Sequence, residues 1–414
     1  MATIERLDSG GASARPSDAA SAVHAPRRAL RVVHLLKHTW RANGSVHVAV
    51  DLACAQADAG LDVWVASVEG SYDDVLAAHG VRVVALPALG GALGTARHAR
   101  AIASLVRHVD PDVVHAHMMS SAVLAAPVVA LSGATLVTTV HNSFDKHSWM
   151  MRTGRTVVAV SQAERDLLVS RGFRPDRVRV VLNGSGDSAR EPYCEDQVGT
   201  VPRPCVMTLS GLHERKAIDD VIRAFEVLAP ECPEWHLNIV GWGPAHDELA
   251  QQIAQADLGD RVHLLGPSYA PWHPLAKADI VVSASLAEPF GLSLSEARAA
   301  GCAVVATRVG GMPEVLEHGR AGLLVEPRDP QALAAALRPL MTDREELERW
   351  RARALDGSER FTAARMARDY LSVYLDAIAA RRVRRLVQDD QFARAGGPST
   401  DATVVSPDRT HKAM

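Results

Sequence analysis

The sequence has 414 residues, of which 47% are hydrophobic. This length suggests two large or three small domains, with enough apolar area to form cores without metals or disulfides. Charged residues make up 22% and the formal net charge is −3, which excludes an acidic solvating chain and argues against a nucleic-acid partner. Only five of the 45 basic residues are lysine, so a lysine at a candidate site is more informative here than an arginine.

The five cysteines are scattered and form no Cys-x-x-Cys pair. Such spacing is typical of reduced thiols and predicts a cytoplasmic protein without a structural zinc site. Residues 1–29 are rich in Ala, Ser, Gly and Pro and lack the apolar region of a secretory signal. We expect them to form a disordered tail.

Short apolar runs alternate with amphipathic stretches in the first half of the chain. Strands are predicted at residues 31–36, 62–66, 81–86, 112–115, 135–140 and 157–160, and helices at 46–59, 96–109, 120–131 and 162–170. Strands that are apolar throughout are typical of strands buried on both faces. Their alternation with helices predicts an α/β fold with a doubly wound parallel sheet in a domain over residues 30–184.

The alternation stops at an irregular segment, residues 185–203, and then resumes. Further strands are predicted at 205–209, 236–240, 262–265, 280–283 and 303–306, and helices at 216–228, 244–256, 293–300, 331–341, 345–355 and 363–380. We therefore expect a linker at 185–203, a second doubly wound domain at 204–360, a C-terminal helix at 361–385 and a disordered tail at 386–414. Ligands of such sheets bind at the carboxyl ends of the strands, so the cleft between the domains is the expected site.

The most informative stretch runs from Glu288 to Glu296, between a predicted buried strand and a predicted helix. Gly291 would allow close approach of the backbone to a ligand, and the free N–H groups at the helix start would attract an anion. Ionised carboxylates accept hydrogen bonds from sugar hydroxyls. The alternative is structural, because Ser293 and Glu296 have the spacing of a capping box.

Arg215 and Lys216 stand at the start of a predicted helix, directly after the first strand of the second domain. Cations at this end oppose the helix dipole, so this placement favours a bound anion such as phosphate. Local ion pairs with Asp219 and Asp220 are the alternative.

Two glycine-containing loops follow predicted strands, one at Asn43-Gly44 and one at Gly241-Trp-Gly243. The amides of the first could contact a phosphate. The second does not complete Gly-x-Gly-x-x-Gly, because residue 246 is His, and the chain has no Walker A lysine. Ordinary dinucleotide and P-loop sites are therefore excluded.

Two histidine clusters end neighbouring predicted strands, His115-Ala-His117 and His141-Asn142. Both would lie at the ligand edge of the first sheet. A metal is an alternative ligand, although no carboxylate or thiolate has the spacing of a partner ligand. The arginines at positions 381, 382, 384 and 385 are typical of a solvated helix end, and contact with anionic lipid head groups is their alternative.

Together these motifs resemble those of the family 4 retaining glycosyltransferases, which have the GT-B fold of two facing Rossmann-like domains with C-terminal helices crossing back. The resemblance covers about residues 30–380 and includes Glu288-Pro-Phe-Gly through Glu296, Leu212–Lys216, Val240-Gly-Trp-Gly-Pro, Asn43-Gly44, His115-Ala-His117, Ala159-Val-Ser161 and Asn183-Gly184. Two departures are Gly211, where the family often has arginine, and Asn43-Gly44, where it usually has Gly-Gly.

The resemblance implies a retaining hexosyltransferase that uses a nucleotide-diphosphate sugar and neither a metal nor another cofactor. Glu288 would hold the hydroxyls of the donor sugar and Glu296 those of the ribose. Arg215 and Lys216 would neutralise the diphosphate. Further donor contacts are implied for Gly44, Gly241, Phe290, Gly291 and Leu292.

His117 would face the transferred sugar, and His141 and Asn142 would lie towards the acceptor. The family implies a lipid-linked saccharide or another hydroxyl acceptor in polysaccharide or glycolipid assembly, with contact at the inner membrane face. Because no nucleophile is well placed, we expect front-face attack by the acceptor hydroxyl. The alternatives are a nucleotide-sugar epimerase of the same fold and a non-catalytic sugar-nucleotide-binding subunit.

Overall fold

The structure is a computed structural model that describes residues 28–41, 43–190 and 199–394. Most of the expected N-terminal tail, residues 191–198 of the expected linker and residues 395–414 lie outside these ranges.

The first half of the chain forms a seven-stranded parallel sheet with the order β3-β2-β1-β4-β5-β6-β7. Its strands are β1 (Arg31–Leu35), β2 (Asp62–Ser67), β3 (Arg82–Ala85), β4 (Val113–Ala116), β5 (Thr135–Val140), β6 (Thr156–Ala159) and β7 (Val178–Val180). The helices are α1 (Gly44–Asp58), α2 (Asp73–Ala78), α3 (Gly91–Val109), α4 (Met119–Ala130) and α5 (Gln162–Ser170). The six predicted strands are confirmed. The short elements β7 and α2 were not predicted.

The second half forms a six-stranded parallel sheet with the order β10-β9-β8-β11-β12-β13. Its strands are β8 (Cys205–Leu209), β9 (His236–Val240), β10 (Val262–Gly266), β11 (Ile280–Ser283), β12 (Ala303–Thr307) and β13 (Leu323–Val325). The helices are α6 (Ile218–Leu228), α7 (His246–Gln255), α8 (Trp272–Leu275), α9 (Leu292–Ala299), α10 (Met312–Val315), α11 (Pro330–Thr342) and α12 (Arg344–Leu355).

Burial explains why the strands read as apolar runs. All six residues of β5 and all five of β12 are buried, as expected for parallel strands covered by helices on both faces. In the second domain, Ile222 and Phe225 of α6 pack with Ile280 and Val282 of β11. Burial of each large apolar side chain in such a core contributes about 1.5 to 3 kcal/mol to the stability of the fold.

The last helix, α13 (Ala363–Arg394), returns to the first domain. Its residues Met366, Tyr370 and Tyr374 are buried in one cluster with Val32 of β1 and Val113 of β4. The expected crossing helix is therefore confirmed. The expectation that disorder begins at residue 386 is wrong for residues 386–394, which continue the helix. Five of these nine residues are good helix formers: Leu386, Gln388, Gln391, Ala393 and Arg394.

In the part of the chain that the structure describes, no helix combines the length and the apolar character needed to cross a membrane. The uncharged segment from Met118 to Val140 forms α4 and the buried strand β5, in agreement with the predicted helix and strand. Four of the cysteines are described, and each is a buried free thiol.

Candidate active site

The site of the second domain forms where the strand order reverses, between the neighbouring strands β8 and β11. Loops that leave the carboxyl ends of such strands diverge and leave a crevice between them. Here a backbone hydrogen bond of 2.8 Å, from Leu286 N–H to the Arg215 carbonyl, holds the two loops together. This contact places Lys216 beside Glu288.

Lys216 and Glu288 form a direct ion pair, with 2.5 Å between Nζ and Oε2, and both side chains are 15% exposed. Arg215 lies 4.0 Å from the same carboxylate oxygen. Its guanidinium carbon is 5.0 Å from the ring centre of Phe144, which belongs to the first domain. The predicted alternative of local pairing with Asp219 and Asp220 is not observed for either residue. Those aspartates pair with Arg223 and Arg328 instead.

Two helix N-termini face each other across the cleft. Helix α1 begins at Gly44 and α9 begins at Leu292, and a Cβ added to Gly44 would lie 3.4 Å from Cδ2 of Leu292. The first N–H groups of a helix have no partner within the helix, and its start carries a partial positive charge. Both ends are therefore suited to bind an anion between the domains.

Close packing between loops explains two of the predicted glycines. Gly241 has φ of +149°, and a Cβ there would lie 1.8 Å from the Ser210 carbonyl oxygen. Gly291 has φ of +101° at the N-cap of α9, with Met312 Cγ 3.2 Å from where its Cβ would be. The two glycines therefore allow loops of the second domain to pack closely against each other. Gly291 does not line the cavity described below.

A cavity of about 520 Å³ occupies the cleft. It brings together ten predicted site residues: Gly44, His141, Asn142, Arg215, Lys216, Gly241, Glu288, Phe290, Leu292 and Glu296. Of the predicted set, Gly291 and His117 are outside this lining.

Glu296 is the most perturbed acidic group in the cavity. Burial raises the pKa of its carboxyl from 4.5 to about 7, although the charge of Arg190 opposes the shift. Arg190 itself is fully buried and forms an ion pair of 3.1 Å with Asp51 of α1. Neither Arg190 nor Asp51 was predicted from the sequence.

His117 lines a second cavity of about 850 Å³ in the first domain. Both of its ring nitrogens are engaged, one with His34 at 2.9 Å and one with His141 at 3.1 Å. His141 and Asn142 line both cavities, so the two spaces meet there. Many of the other residues around the second cavity are apolar: Leu89, Met118, Met119, Val123, Leu124, Val140, Met150 and Met151.

One histidine group is compact enough to hold a metal ion. Ring nitrogens of His34, His115 and His117 lie within 4.8 Å of one another, and all three residues are buried. No carboxylate or thiolate belongs to this group. The expected absence of a metal site stays a prediction.

Sequence reasoning missed the glycine pair that supports the Glu288 loop. Gly311 N–H donates to the Glu288 carbonyl at 2.9 Å. A Cβ at Gly310 would lie 1.9 Å from that oxygen, and one at Gly311 would lie 2.4 Å from the Pro289 carbonyl oxygen. Ser161 of the first domain also donates to the Pro289 carbonyl, at 2.5 Å. The sequence did contain a signal for this contact, because Gly310 and Gly311 closely follow the buried strand β12.

Comparison with known proteins agrees with this architecture. A family model described as "Glycosyltransferase Family 4" matches residues 42–185, and one described as "Glycosyl transferases group 1" matches residues 198–356. The crystal structure of the Anabaena protein HepE in complex with UDP-glucose has a TM-score of 0.70 at 22% identity, covering 84% of this chain and 100% of that one. This likeness shows the GT-B fold.

Two curated relatives illustrate the range of similar proteins. An exopolysaccharide phosphotransferase of Streptomyces coelicolor is 35% identical over 202 residues, covering 47% of this chain and 21% of that protein. A glycogen synthase of Mycobacterium tuberculosis is 30% identical over 268 residues, covering 59% of this chain and 63% of that protein. The chain thus spans less than two thirds of the length of either relative. Since the two family models together match most of the sequence between residues 42 and 356, the chain belongs to the family 4, or group 1, glycosyltransferases.

Proposed function

We propose that the protein transfers a hexose from a nucleotide-diphosphate sugar to an acceptor hydroxyl, with retention of configuration at the sugar carbon. The observation that carries this proposal is the pairing of Lys216 and Glu288 in a cleft where the N-termini of α1 and α9 face each other. Cations and free amides suit a diphosphate, and a carboxylate beside them suits the hydroxyls of a sugar.

The donor would lie between the two domains. Lys216 and Arg215 would stabilise the negative charge that develops on the departing diphosphate, with the amides of Gly44 and Leu292 contributing. Glu288 would accept hydrogen bonds from the sugar and Glu296 from the ribose. Gly241 and Phe290 would form walls of the nucleotide pocket.

The acceptor would enter through the second cavity and meet the donor at His141 and Asn142, which line both spaces. Because much of that cavity is apolar, it fits an acceptor that carries a lipid or another apolar group beside its sugar. This supports a lipid-linked saccharide as acceptor. Closure of the domains would exclude water and prevent hydrolysis of the donor.

Substitution of the ion pair tests the site. Lys216→Ala and Glu288→Ala should each lower the transfer rate by about a hundredfold or more, the scale of losing one electrostatic stabiliser. Transfer can be measured by release of nucleotide diphosphate with each of a panel of UDP-, GDP- and ADP-sugars. Lys277→Ala is the matched control, because this exposed lysine lies outside the cavity lining. Near wild-type rates in either site variant would rule out the assignment.

Chelation tests whether catalysis needs a metal. We expect EDTA to leave transfer largely intact, because Lys216, Arg215 and the helix N-termini would neutralise the diphosphate in place of a divalent cation. A loss of activity that Mg²⁺ or Mn²⁺ restores would contradict this expectation.

The same assays separate the two alternative functions. A nucleotide-sugar epimerase would convert the donor without any acceptor. A non-catalytic subunit would bind the donor in calorimetry and transfer nothing across an acceptor panel.

We propose further that the protein is cytoplasmic and contacts the inner membrane face, and the exposed end of α13 supports the membrane contact. Arg382 and Arg384 are exposed beside Val383 and Leu386, which are 61% and 69% exposed. Basic and apolar side chains together favour anionic lipid surfaces. Arg381 is held differently, because it donates to the carbonyls of Ser132 and Ala134.

Vesicle sedimentation tests the membrane contact. The full chain should bind vesicles containing phosphatidylglycerol, less so at high salt, and should not bind neutral phosphatidylcholine vesicles. Reversing the charge at Arg382 and Arg384 together should abolish binding without changing the unfolding temperature. Equal binding to both kinds of vesicle would exclude the electrostatic contact.

A further inference from the structure

A buried chain of hydrogen bonds runs from the cleft to the C-terminal helix. His141 Nε2 bonds to His117 Nδ1 at 3.1 Å, and His117 Nε2 bonds to His34 Nδ1 at 2.9 Å. His34 Nε2 then bonds to Gln56 Oε1 at 2.8 Å, and Gln56 Nε2 donates to the Tyr374 hydroxyl at 3.2 Å. Gln56, His34 and Tyr374 are at most 1% exposed, whereas His141 lines both cavities.

The three imidazoles in this chain of hydrogen bonds, those of His34, His117 and His141, are neutral near pH 7. Burial lowers the pKa of His34 and His141 to about 4 and lowers that of His117 well below its usual value. A neutral imidazole has one N–H donor and one acceptor nitrogen, so the bond made by one nitrogen decides the role of the other.

The amide of Gln56 determines which nitrogen donates and which accepts in each of these hydrogen bonds. Its Oε1 can only accept, so His34 Nε2 carries the proton and His34 Nδ1 accepts from His117 Nε2–H. His117 Nδ1 then accepts from His141 Nε2–H. This leaves His141 Nδ1 as a lone-pair acceptor, and among the described residues no protein group occupies it.

We propose that Gln56 is a positioning residue that fixes His141 as the Nε2–H tautomer, so that its Nδ1 accepts a hydrogen bond from the attacking hydroxyl of the acceptor. The catalytic part of this proposal rests on the proposed glycosyl transfer. A hydroxyl that donates to Nδ1 has its oxygen lone pairs oriented by a fixed group before the donor sugar reacts.

Tyr374 holds the amide of Gln56 in this orientation. In the proposed arrangement its O–H donates to His115 Nδ1 at 2.7 Å, so its oxygen accepts from Gln56 Nε2–H and has no proton left for a rotated amide oxygen. A rotated amide would present its NH₂ group to His34 Nε2, which would reverse every tautomer and leave a proton on His141 Nδ1. Helix α13 therefore contributes to the site through a residue that does not touch the cleft.

A metal ion is the competing occupant of part of this cluster. It would use the nitrogens of His34, His115 and His117 and would have to replace the His34–His117 hydrogen bond. No negative ligand in the group would balance the charge of a buried divalent ion. The observed hydrogen bonds favour the uncharged chain.

Nitrogen NMR tests the tautomers directly. Two-bond ¹H–¹⁵N spectra of histidine-labelled full-length protein at pH 7.5 should show His117 and His141 as Nε2–H tautomers, assigned from His117→Gln and His141→Gln spectra. Gln56→Met and Tyr374→Phe should each give a mixture or a reversal. Leu52→Met is the matched control, since it changes a buried residue of the same helix outside the chain of bonds and should leave the tautomers as they are.

The kinetic measurement separates positioning from stability. Gln56→Met should lower kcat for transfer about tenfold while leaving KM for the donor unchanged, and Leu52→Met should lower neither. Unchanged tautomers in Gln56→Met, or altered tautomers with unchanged kcat, would overturn the proposal. So would about one equivalent of transition metal per chain by mass spectrometry. If wild-type protein transfers no sugar, the proposed function fails, and the NMR result still decides what Gln56 does.

Discussion

Glu296 shows how a single buried carboxyl links stability to function. Its pKa is raised from 4.5 to about 7 by burial, so the folded protein keeps a proton that the unfolded chain releases above about pH 4.5. The folded state binds more protons in this window, and its stability therefore falls as the pH rises from about 4.5 through 7. A carboxylate held at this cost is expected to serve ligand binding.

Glu296→Gln tests this cost. The neutral amide removes the penalty of a buried charge, so the variant should be more stable than wild type by roughly 1 to 3 kcal/mol at pH 8 and about equally stable at pH 5. Urea unfolding at both pH values measures the difference. Glu248→Gln, at an exposed position of α7, is the control. A stability difference that is the same at pH 5 and pH 8 would contradict the raised pKa.

Among the elements, the loop after β11 is positioned largely by another loop. The carbonyls of Glu288 and Pro289 rest against Gly310 and Gly311, which follow β12. Strand β11 and helix α9 alone would not fix the position of Glu288, because this residue lies in the loop, four residues before α9 begins.

Gly311→Ala is expected to displace the Glu288 loop, because the new Cβ would lie 2.4 Å from the Pro289 carbonyl oxygen. We expect kcat/KM to fall at least tenfold and the free energy of unfolding to fall by roughly 1 to 3 kcal/mol. Gly259→Ala is the matched control, since no atom lies within 4 Å of its added Cβ. Equal activity of both variants would show that the glycine pair does not position Glu288.

The pattern of apolar residues along the sequence predicted the long strands and helices. It also predicted the two loops that carry Lys216 and Glu288, because each loop follows a buried apolar strand. It missed β7 and β13, which have three residues each and leave too short a pattern. Gln56 and Tyr374 could not be paired from the sequence. They are 318 positions apart, and both lie on helix faces whose other residues are apolar core.

For the whole molecule, Arg190 joins three parts of the chain. It pairs with Asp51 of α1, and its guanidinium carbon lies 5.5 Å from the ring centre of Trp272 in the second domain. The segment before residues 191–198 is thereby fixed to both domains near the cleft.

Breaking this ion pair should be costly. Asp51→Ala or Arg190→Ala would leave a buried charge without its partner, and we expect each to lower the free energy of unfolding by about 3 to 5 kcal/mol. The double variant should cost clearly less than the sum, which urea unfolding of all four proteins will measure. Additive losses would mean that the two side chains do not interact.

Helix α13 also constrains how the protein is made. The first domain consists of residues near the start of the chain and of a helix that begins at Ala363. At about 5 to 20 residues per second, a ribosome needs roughly 15 to 60 s to reach that helix after completing α1. During this interval Val32 and Val113 lack the part of their packing that Met366, Tyr370 and Tyr374 supply. The nascent first domain is therefore expected to expose this apolar surface until α13 has been made.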